Sequence, residues 1–189
     1  MQKKFSQLYY FIEEYNYLDL VNLDKNIHII YRNYKKNINI STLISLKNFC
    51  KKNNLKLFLS NNIKLALKFK LSGIYIPAFN TQINYIKYPL PSNFTIIGSA
   101  HNFREILIKE KQRCESIFLS PVFKVNKADS FLNICKFNYL TLNKKIKFIA
   151  LGGIKKSNLR RISLLNVFGF AGISFFQKKT APYRGRLNN

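Results

Sequence analysis

Eight short apolar runs, spread along almost the whole chain, limit most strongly what this sequence can fold into. The runs are rich in β-branched and aromatic residues and are continuous rather than alternating with polar residues. They occupy residues 8–12, 27–31, 55–59, 73–76, 95–97, 116–119, 147–151 and 169–175. Continuous apolar runs favour strands that are covered on both faces. The sequence therefore predicts eight strands of the kind found in a parallel sheet.

Longer amphipathic segments lie between most of these strands. Residues 41–52 carry apolar side chains on one helical face, with Ser41 as the predicted N-cap. Residues 102–111 begin at Asn102 and carry Glu105 three residues later, which approximates a capping box. Further helices are predicted over residues 62–70, over residues 157–166 and between strands six and seven. The connections after strands one and four leave room for only a turn of helix.

A strand followed by a helical segment, repeated eight times, predicts a (β/α)₈ barrel, or TIM barrel. Such barrels usually need about 250 residues, with about 200 as the lower end, and this chain has 189. We therefore predict one compact barrel domain over residues 1–189, with truncated first and last helices and a basic tail at 177–189. An open, doubly wound sheet is the structural alternative.

The formal charge of +24 has two explanations. A basic surface binds nucleic acid by releasing counterions from phosphates. However, 25 of the 32 basic residues are lysines scattered along the chain, and Lys, Asn and Ile, which have A/T-rich codons, recur throughout. We attribute most of the charge to composition and keep a basic nucleic-acid-binding protein as the less favoured alternative. The 47% hydrophobic content excludes a disordered basic arm.

Cysteine spacing and the absence of long apolar stretches narrow the protein class further. Cys50, Cys114 and Cys135 show no CxxC spacing, so neither a zinc site nor a disulfide framework is predicted. We place all three in helical segments, and none has a neighbouring base that would make it a nucleophile. The sequence shows no secretory signal pattern and no run that approaches 18 apolar residues. We expect a cytoplasmic protein with no membrane partner.

The residues that follow the predicted strands are the candidate functional groups, because active sites of such barrels lie at the carboxyl ends of the strands. After strands two to eight we find polar, glycine and basic residues and no Asp or Glu, which suits an anionic ligand. The main candidates are Arg32, Ser60, Asn61, Asn80, Ser99, His101, Lys124, Lys127, Gly152, Gly153, Ile173 and Ser174.

Two of these positions fit a phosphate ligand on physical grounds. Backbone N–H groups near Gly153, at the start of a predicted helix, could hold a phosphate, and glycine keeps a Cβ out of its way. Arg32 directly follows a strand, where a guanidinium can grip two phosphate oxygens. A tight turn without a ligand and a surface arginine remain the alternatives. We interpret His101 as a helix-start residue and His28 as structural.

Two segments in the first half of the chain match patterns of a known family. Residues 57–66 (LFLSNNIKLA) followed by residues 72–76 (SGIYI) are similar to L-I-I-N-D-x-x-x-L-A and D-G-V-H-L. Residues 96–102 (IIGSAHN) are similar to I-I-G-x-S-x-H-s.

A third group lies in the second half: residues 118–123 (FLSPVF), 149–154 (IALGGI) and 169–174 (GFAGIS). In this order and spacing, the segments resemble the thiamine phosphate synthase/TenI family over residues 29–176. The resemblance implies a (β/α)₈ barrel and a transferase of thiamine biosynthesis. Such synthases join hydroxymethylpyrimidine diphosphate to thiazole phosphate and release pyrophosphate.

The resemblance also assigns roles to single residues. Arg32 matches the arginine of the diphosphate grip, Ser99 the serine after strand five, and Lys127 the lysine after strand six, one residue early. These three are the implied catalytic residues. The implied substrate- or phosphate-binding positions are Ser60, Asn61, Asn80, Gly152, Gly153, Ile173 and Ser174.

The chain departs from the family pattern at several of these positions. Asn61 and Asn80 stand where the family has two Mg²⁺-binding aspartates, and an amide offers one neutral oxygen where Mg²⁺ prefers anionic ones. We therefore expect Mg²⁺, the implied cofactor, to bind poorly. Ser60 replaces an asparagine, Tyr34 replaces a lysine beside Arg32, and Pro121 stands where TenI-type tautomerases carry a histidine.

Three hypotheses follow from the sequence. The first is a divergent synthase in which lysines replace Mg²⁺ as the counter-charge of the diphosphate. The second is a noncatalytic relative that binds thiazole or thiamine phosphates. The third is a nucleic-acid-binding protein.

Overall fold

A closed barrel of eight parallel strands forms the centre of the molecule. The computed structural model describes residues 5–21, 23–24, 26–34, 37–126 and 130–176. The strands are β1 (Gln7–Ile12), β2 (Ile27–Tyr31), β3 (Leu57–Ser60), β4 (Gly73–Ile76), β5 (Thr95–Ala100), β6 (Ser116–Leu119), β7 (Lys147–Leu151) and β8 (Gly169–Gly172). They pair in chain order, and β1 also pairs with β8. The predicted (β/α)₈ barrel is confirmed, and the open-sheet alternative is wrong because the β1–β8 ladder leaves no free edge.

Helical segments connect most of the strands. They are α1 (Tyr17–Val21), α2 (Ile40–Lys52), α3 (Ile63–Lys68), α4 (Phe103–Lys111), α5 (Asn133–Thr141) and α6 (Leu159–Ile162), with 3₁₀ helices at Asn84–Lys87 and Lys156–Asn158. The connections after β1 and β4 carry only a turn or so of helix, as predicted. A helix after β8 would fall in residues 177–189, which lie outside the described residues, as does the predicted basic tail. The single-domain extent of residues 1–189 stays a prediction.

Several predicted boundaries need correction. Asn39, not Ser41, caps α2, because its side chain accepts a hydrogen bond from the Thr42 amide at 3.2 Å. Cys114 lies in the loop after α4 rather than in a helix. In place of the helix predicted over residues 157–166, the structure has the 3₁₀ helix Lys156–Asn158 followed by the four-residue α6. The N-cap of α4 is confirmed, since Asn102 Oδ1 accepts from the Glu105 amide at 3.0 Å.

Two hydrophobic layers result from the alternation of side chains along the strands. One set faces the surrounding helices, and the other fills the lumen of the barrel. Aromatic rings dominate the lumen: the Phe118 ring lies 4.9 Å from Tyr9, 5.5 Å from Phe11 and 5.8 Å from Tyr75, centroid to centroid. The lumen is therefore a packed core rather than a pore.

His28 in β2 packs against Tyr9 and Phe58. Burial, with a smaller contribution from Lys56, lowers its pKa from 6.5 to about 4. These contacts agree with the structural role predicted for it. Its Nδ1 has no hydrogen-bond partner among the described residues.

We expect this histidine to make the fold sensitive to acid. The unfolded chain takes up a proton at His28 near pH 6.5, whereas the folded chain does so only near pH 4. The free energy of unfolding should therefore fall as the pH drops through that window. Urea denaturation across the window measures the effect, and His28→Phe, which cannot be protonated, should remove this part of it. Identical pH profiles of wild type and variant would contradict the prediction.

Candidate functional site

Three polar side chains line the mouth of the barrel, and a fourth, Ser60, lies beside them in register with Tyr75. Arg32 follows β2, Ser60 ends β3, Tyr75 lies in β4 and Ser99 lies in β5. Tyr75 belongs to the lumen layer, and each of the other three stands two residues beyond a lumen residue of its own strand segment. Because side chains alternate with a period of two, all four belong to the lumen side. The structure thus brings together three predicted residues, Arg32, Ser60 and Ser99.

Tyr75 is the residue at this site that the sequence reasoning missed. Its hydroxyl donates a hydrogen bond to Ser99 Oγ at 2.8 Å and also interacts with Arg32. Burial raises the pKa of Tyr75, so the hydroxyl stays neutral and remains a donor. A signal was available, because Tyr75 occupies the histidine position of the D-G-V-H-L pattern.

Ser60, at the carboxyl end of β3, carries a polar atom without a hydrogen-bond partner among the described residues. Its side chain is buried, and its Oγ has no hydrogen-bond partner among the described residues. Ser60 pairs in register with Tyr75 on the neighbouring strand. A buried hydroxyl without a partner is costly, so a polar ligand atom at this point would be stabilised.

Two aromatic rings hold the guanidinium of Arg32. Its central carbon lies 4.7 Å from the Phe11 ring centroid and 5.1 Å from that of Tyr34. Tyr34 in turn contacts Phe79, with ring centroids 5.5 Å apart, and both rings are exposed. Tyr34, at the position for which the resemblance implies a lysine, therefore supports Arg32 through its ring and adds no second charge.

Arg32 lines two neighbouring pockets. The first, of about 300 Å³, is lined among others by Tyr34, Tyr75, Phe79, Ser99, His101, Glu105 and Ser120. The second, of about 440 Å³, is lined among others by Glu13, Glu14, Asn16, Asp19 and Ile173. Acidic residues therefore border the mouth, although none directly follows strands two to eight. Glu13 and Glu14 follow β1, and Glu105 comes from the first turn of α4.

His101 both precedes a helix and borders the first pocket. Its backbone N–H donates to Glu105 Oε2 at 2.7 Å, next to the N-cap of α4. Its Nδ1 lies 2.7 Å from the carbonyl oxygen of Ser120. A carbonyl only accepts, so this contact assigns the hydrogen to Nδ1 and leaves Nε2 as an acceptor in the neutral ring. The helix-start interpretation is confirmed, with a pocket position added to it.

Asn61 and Asn80, the positions for which the resemblance implies Mg²⁺-binding aspartates, also lie together. Asn80 Nδ2 donates to Asn61 Oδ1 and to the Tyr85 hydroxyl, and that hydroxyl donates to Asn61 Oδ1 at 3.2 Å. Asn80 Oδ1 accepts from the Gln82 amide at 2.9 Å. Both side-chain oxygens are thus occupied by donors, and an amide N–H stands where a cation would need an oxygen. These residues do not fit a Mg²⁺ ion.

The Gly152–Gly153 turn follows β7 with φ values of +91° and +69°. A Cβ on Gly153 would lie 2.6 Å from the Phe123 carbonyl oxygen, and one on Gly152 would lie 2.7 Å from Pro121 Cβ. Glycine is therefore required by the close approach of the loop after β6, a reason different from the predicted anion contact. Phosphate binding at this turn stays a prediction.

Replacing Gly153 by alanine should destabilise the barrel by about 1–3 kcal/mol, because a residue with a Cβ is strained at positive φ. The contact with Phe123 adds to that cost. Urea denaturation of the variant measures it, with Lys156→Ala, an exposed change in the next turn, as the control. Equal stability of the two variants would contradict this account.

The remaining predicted residues lie after β6 and β8. Ile173 is exposed and lines the second pocket. Ser174 is exposed in the turn after β8, because that strand ends at Gly172 rather than at residue 175. Lys124 is exposed, and Lys127 lies outside the described residues.

The fold and this site define a (β/α)₈-barrel protein whose polar groups converge at the carboxyl ends of the strands. The sequence model of one protein family, described as "Thiamine monophosphate synthase", matches residues 26–176. The chain belongs to this family, which confirms the resemblance seen in the sequence.

Individual relatives agree with this assignment. A thiamine-phosphate synthase of Prochlorococcus marinus subsp. pastoris is 32% identical over 77% of this chain and 39% of its own length. One from Flavobacterium psychrophilum is 23% identical over 77% of this chain and 75% of its own. The chain thus matches only about two fifths of the Prochlorococcus protein. Thiamine phosphate pyrophosphorylase from Pyrococcus furiosus shares the fold, with a TM-score of 0.70 at 19% identity over 89% of this chain and 86% of that one.

A search of the described part of the chain for membrane-crossing helices found none of sufficient length and hydrophobicity. The cytoplasmic location stays a prediction.

Proposed function

We propose that this protein is a synthase that joins hydroxymethylpyrimidine diphosphate to thiazole phosphate and releases pyrophosphate. The observation that carries the proposal is the group of one guanidinium and three hydroxyls, Arg32, Ser60, Tyr75 and Ser99, at the floor of the mouth. Ser60 Oγ, which is buried in register with Tyr75 and has no hydrogen-bond partner among the described residues, supports a polar ligand atom near this point. Family membership supports the choice of substrates.

The proposed reaction needs charge stabilisation more than proton transfer. The bond between the pyrimidine methylene carbon and the diphosphate oxygen breaks, and the diphosphate leaves with the electron pair. The lone pair of the thiazole nitrogen then forms the new C–N bond. Arg32 would bind the oxygens of the leaving diphosphate, where negative charge grows as the bond breaks. The Phe11 and Tyr34 rings keep its guanidinium in position.

Two adjoining pockets favour a reaction between two ring-bearing substrates. They meet at Arg32, so a ligand in each would place two rings on either side of one positive charge. Holding the reactants together in this way removes much of the entropic cost of their encounter. Three carboxylates, those of Glu13, Glu14 and Asp19, border the second pocket, whereas the first has one, that of Glu105, together with the Tyr75 and Ser99 hydroxyls. This difference supports placing the diphosphate in the first pocket.

We further propose that the reaction does not depend on Mg²⁺ at Asn61 and Asn80. The occupied side-chain oxygens of these residues support this, together with the amide N–H of Asn80 that points at Asn61. The neutral amides of Asn61 and Asn80 would donate hydrogen bonds to the diphosphate but would not supply the positive charge of a metal ion.

The same amide pair favours the second candidate function, a noncatalytic protein that binds thiazole or thiamine phosphate. Losing both metal positions removes the charge on which the family's chemistry depends, while the Arg32 pocket would still accept a phosphate.

Incubation of the purified chain with both substrates, in EDTA and in Mg²⁺, tests the proposal. We expect thiamine phosphate to form at similar rates in both conditions. Formation only with Mg²⁺ would contradict metal independence. If no product forms in either condition, the synthase is excluded. Calorimetry with pyrophosphate, thiazole phosphate and thiamine phosphate then decides whether the chain is a binding protein.

A further inference from the structure

Lys109 of α4 is fully buried, yet it has no carboxylate hydrogen-bonded to it among the described residues. Its Nζ donates to the carbonyl oxygens of Pro77 and Asn80, each at 2.8 Å, and to Gln112 Oε1 at 2.9 Å. These contacts use all three donors of an ammonium group. Burial lowers the pKa of Lys109 to about 8, so the charged form still dominates at neutral pH.

Gln112 binds the same stretch of backbone as Lys109. It is fully buried, and its Nε2 donates to the carbonyl oxygens of Asn80 at 2.9 Å and of Gln82 at 2.8 Å. Two side chains near the end of α4 therefore hold the backbone of the loop over residues 77–82 at three points.

The neighbouring strand leaves room for the lysine. A Cβ on Gly98 of β5 would lie 2.8 Å from Lys109 Cδ. A larger residue at position 98 would displace the stem that carries the ammonium group to the loop. The strand β5, the helix α4 and the loop over residues 77–82 thus come together around this one side chain.

The held loop forms a wall of the candidate site. Pro77, Ala78 and Phe79 line the same pocket as Arg32, and the exposed Phe79 ring contacts Tyr34 above it. Lys109 binds the carbonyl groups on both sides of this wall, at Pro77 and at Asn80. The backbone that carries the Phe79 ring is therefore held by a side chain that does not line the pocket.

We propose that Lys109 is a positioning residue for the ring-binding wall of the pocket. With Gln112, it holds residues 77–80 so that Phe79 contacts the flat ring of a phosphorylated ligand, while Arg32 binds its phosphate. Recognition of the ring rests on the proposed function, whereas the attachment of the loop does not.

Hydrogen exchange tests the attachment without any ligand. The Asn80 amide donates to Pro77 O at 3.1 Å, and the Gln82 amide donates to Asn80 Oδ1 at 2.9 Å. In Lys109→Met, which replaces the four-carbon stem by an unbranched chain of four atoms and removes the ammonium, both amides should exchange at least about tenfold faster, while β1 keeps its protection. Lys111→Met, an exposed change on the same helix, is the matched control. Unchanged exchange in Lys109→Met would overturn the proposal.

Calorimetry with two ligands separates positioning from general destabilisation. Lys109→Met should weaken binding of thiamine phosphate, which carries rings, by about fivefold or more, and leave pyrophosphate within about twofold. An equal loss for both ligands, or a loss for neither, would overturn the positioning role. If the wild type binds neither ligand, the proposed function fails, and hydrogen exchange still decides whether Lys109 holds the loop. If Lys109→Met does not fold, Gln112→Ala, which removes two donors to the same loop, takes its place in both experiments.

Discussion

Arg32→Ala is expected to weaken the binding of pyrophosphate by about 10- to 100-fold. A hydrogen bond to a charged group contributes about 1.5–3 kcal/mol, and about 1.4 kcal/mol corresponds to a tenfold change in affinity. Arg32 is the guanidinium that both pockets of the mouth share, and the Phe11 and Tyr34 rings orient it before a ligand arrives. Calorimetric titration of wild type and variant with pyrophosphate measures the loss.

Two further variants sharpen this experiment. Arg32→Lys keeps the charge but loses the forked geometry, so an intermediate affinity is expected. Arg160→Ala removes an exposed arginine of α6 and should leave the affinity within about twofold, because a distant surface charge is screened by salt. If Arg160→Ala weakened binding as much as Arg32→Ala does, the affinity would reflect the overall positive charge of the chain. The nucleic-acid hypothesis would then gain weight over a phosphate site at the mouth.

Phe118→Ala should lower the free energy of unfolding by about 3–5 kcal/mol, the usual cost of removing a buried phenyl ring. Phe118 is fully buried in the lumen, where its ring meets those of Tyr9, Phe11 and Tyr75. Strands on all sides limit the collapse of the cavity left behind, so the cost should lie toward the upper part of that range. Urea denaturation followed by circular dichroism measures it.

Tyr139→Ala is the matched control, because this aromatic residue lies in α5 with its side chain 77% exposed. It should change stability by no more than about 0.5 kcal/mol. Phe118→Leu, which keeps most of the apolar volume, should fall between the two and serves if the alanine variant does not fold. A loss below about 1 kcal/mol for Phe118→Ala would show that the lumen rings are not the stabilising core described above.

The strands could be predicted because burial on both faces leaves a continuous apolar signature. The helical segments between the eight runs then predict the barrel, since consecutive parallel strands need a crossover connection, which is usually a helix. Arg32, Ser60 and Ser99 could be predicted from the same pattern, because a barrel brings the ends of its strands to one mouth. Helix limits were less predictable: Asn39 and Ser41 are both good N-caps by residue type, and only the backbone conformation decides between them.

Other parts of the site depend on contacts between residues far apart in the chain. Nothing in the local sequence around Lys109 indicates that its ammonium group binds the carbonyl of Pro77, 32 residues away. The mutual hydrogen bond of Asn61 and Asn80 depends on two loops that meet only when β3 and β4 pair. The acidic wall of the second pocket was missed because Glu13 and Glu14 acquire their position only when β1 closes the barrel against β2 and β8.

The sequence by itself determined the barrel and its family, because strands buried on both faces leave continuous apolar runs that helical segments separate along the chain. Only the tertiary structure decided that Asn61 and Asn80 satisfy each other instead of a metal ion, that Tyr75 joins Arg32 and Ser99, and that Lys109 supports the wall of the pocket. Hydrogen bonds depend on distances of a few ångströms between atoms. Such distances arise between distant segments only after the eight strands have closed around the lumen.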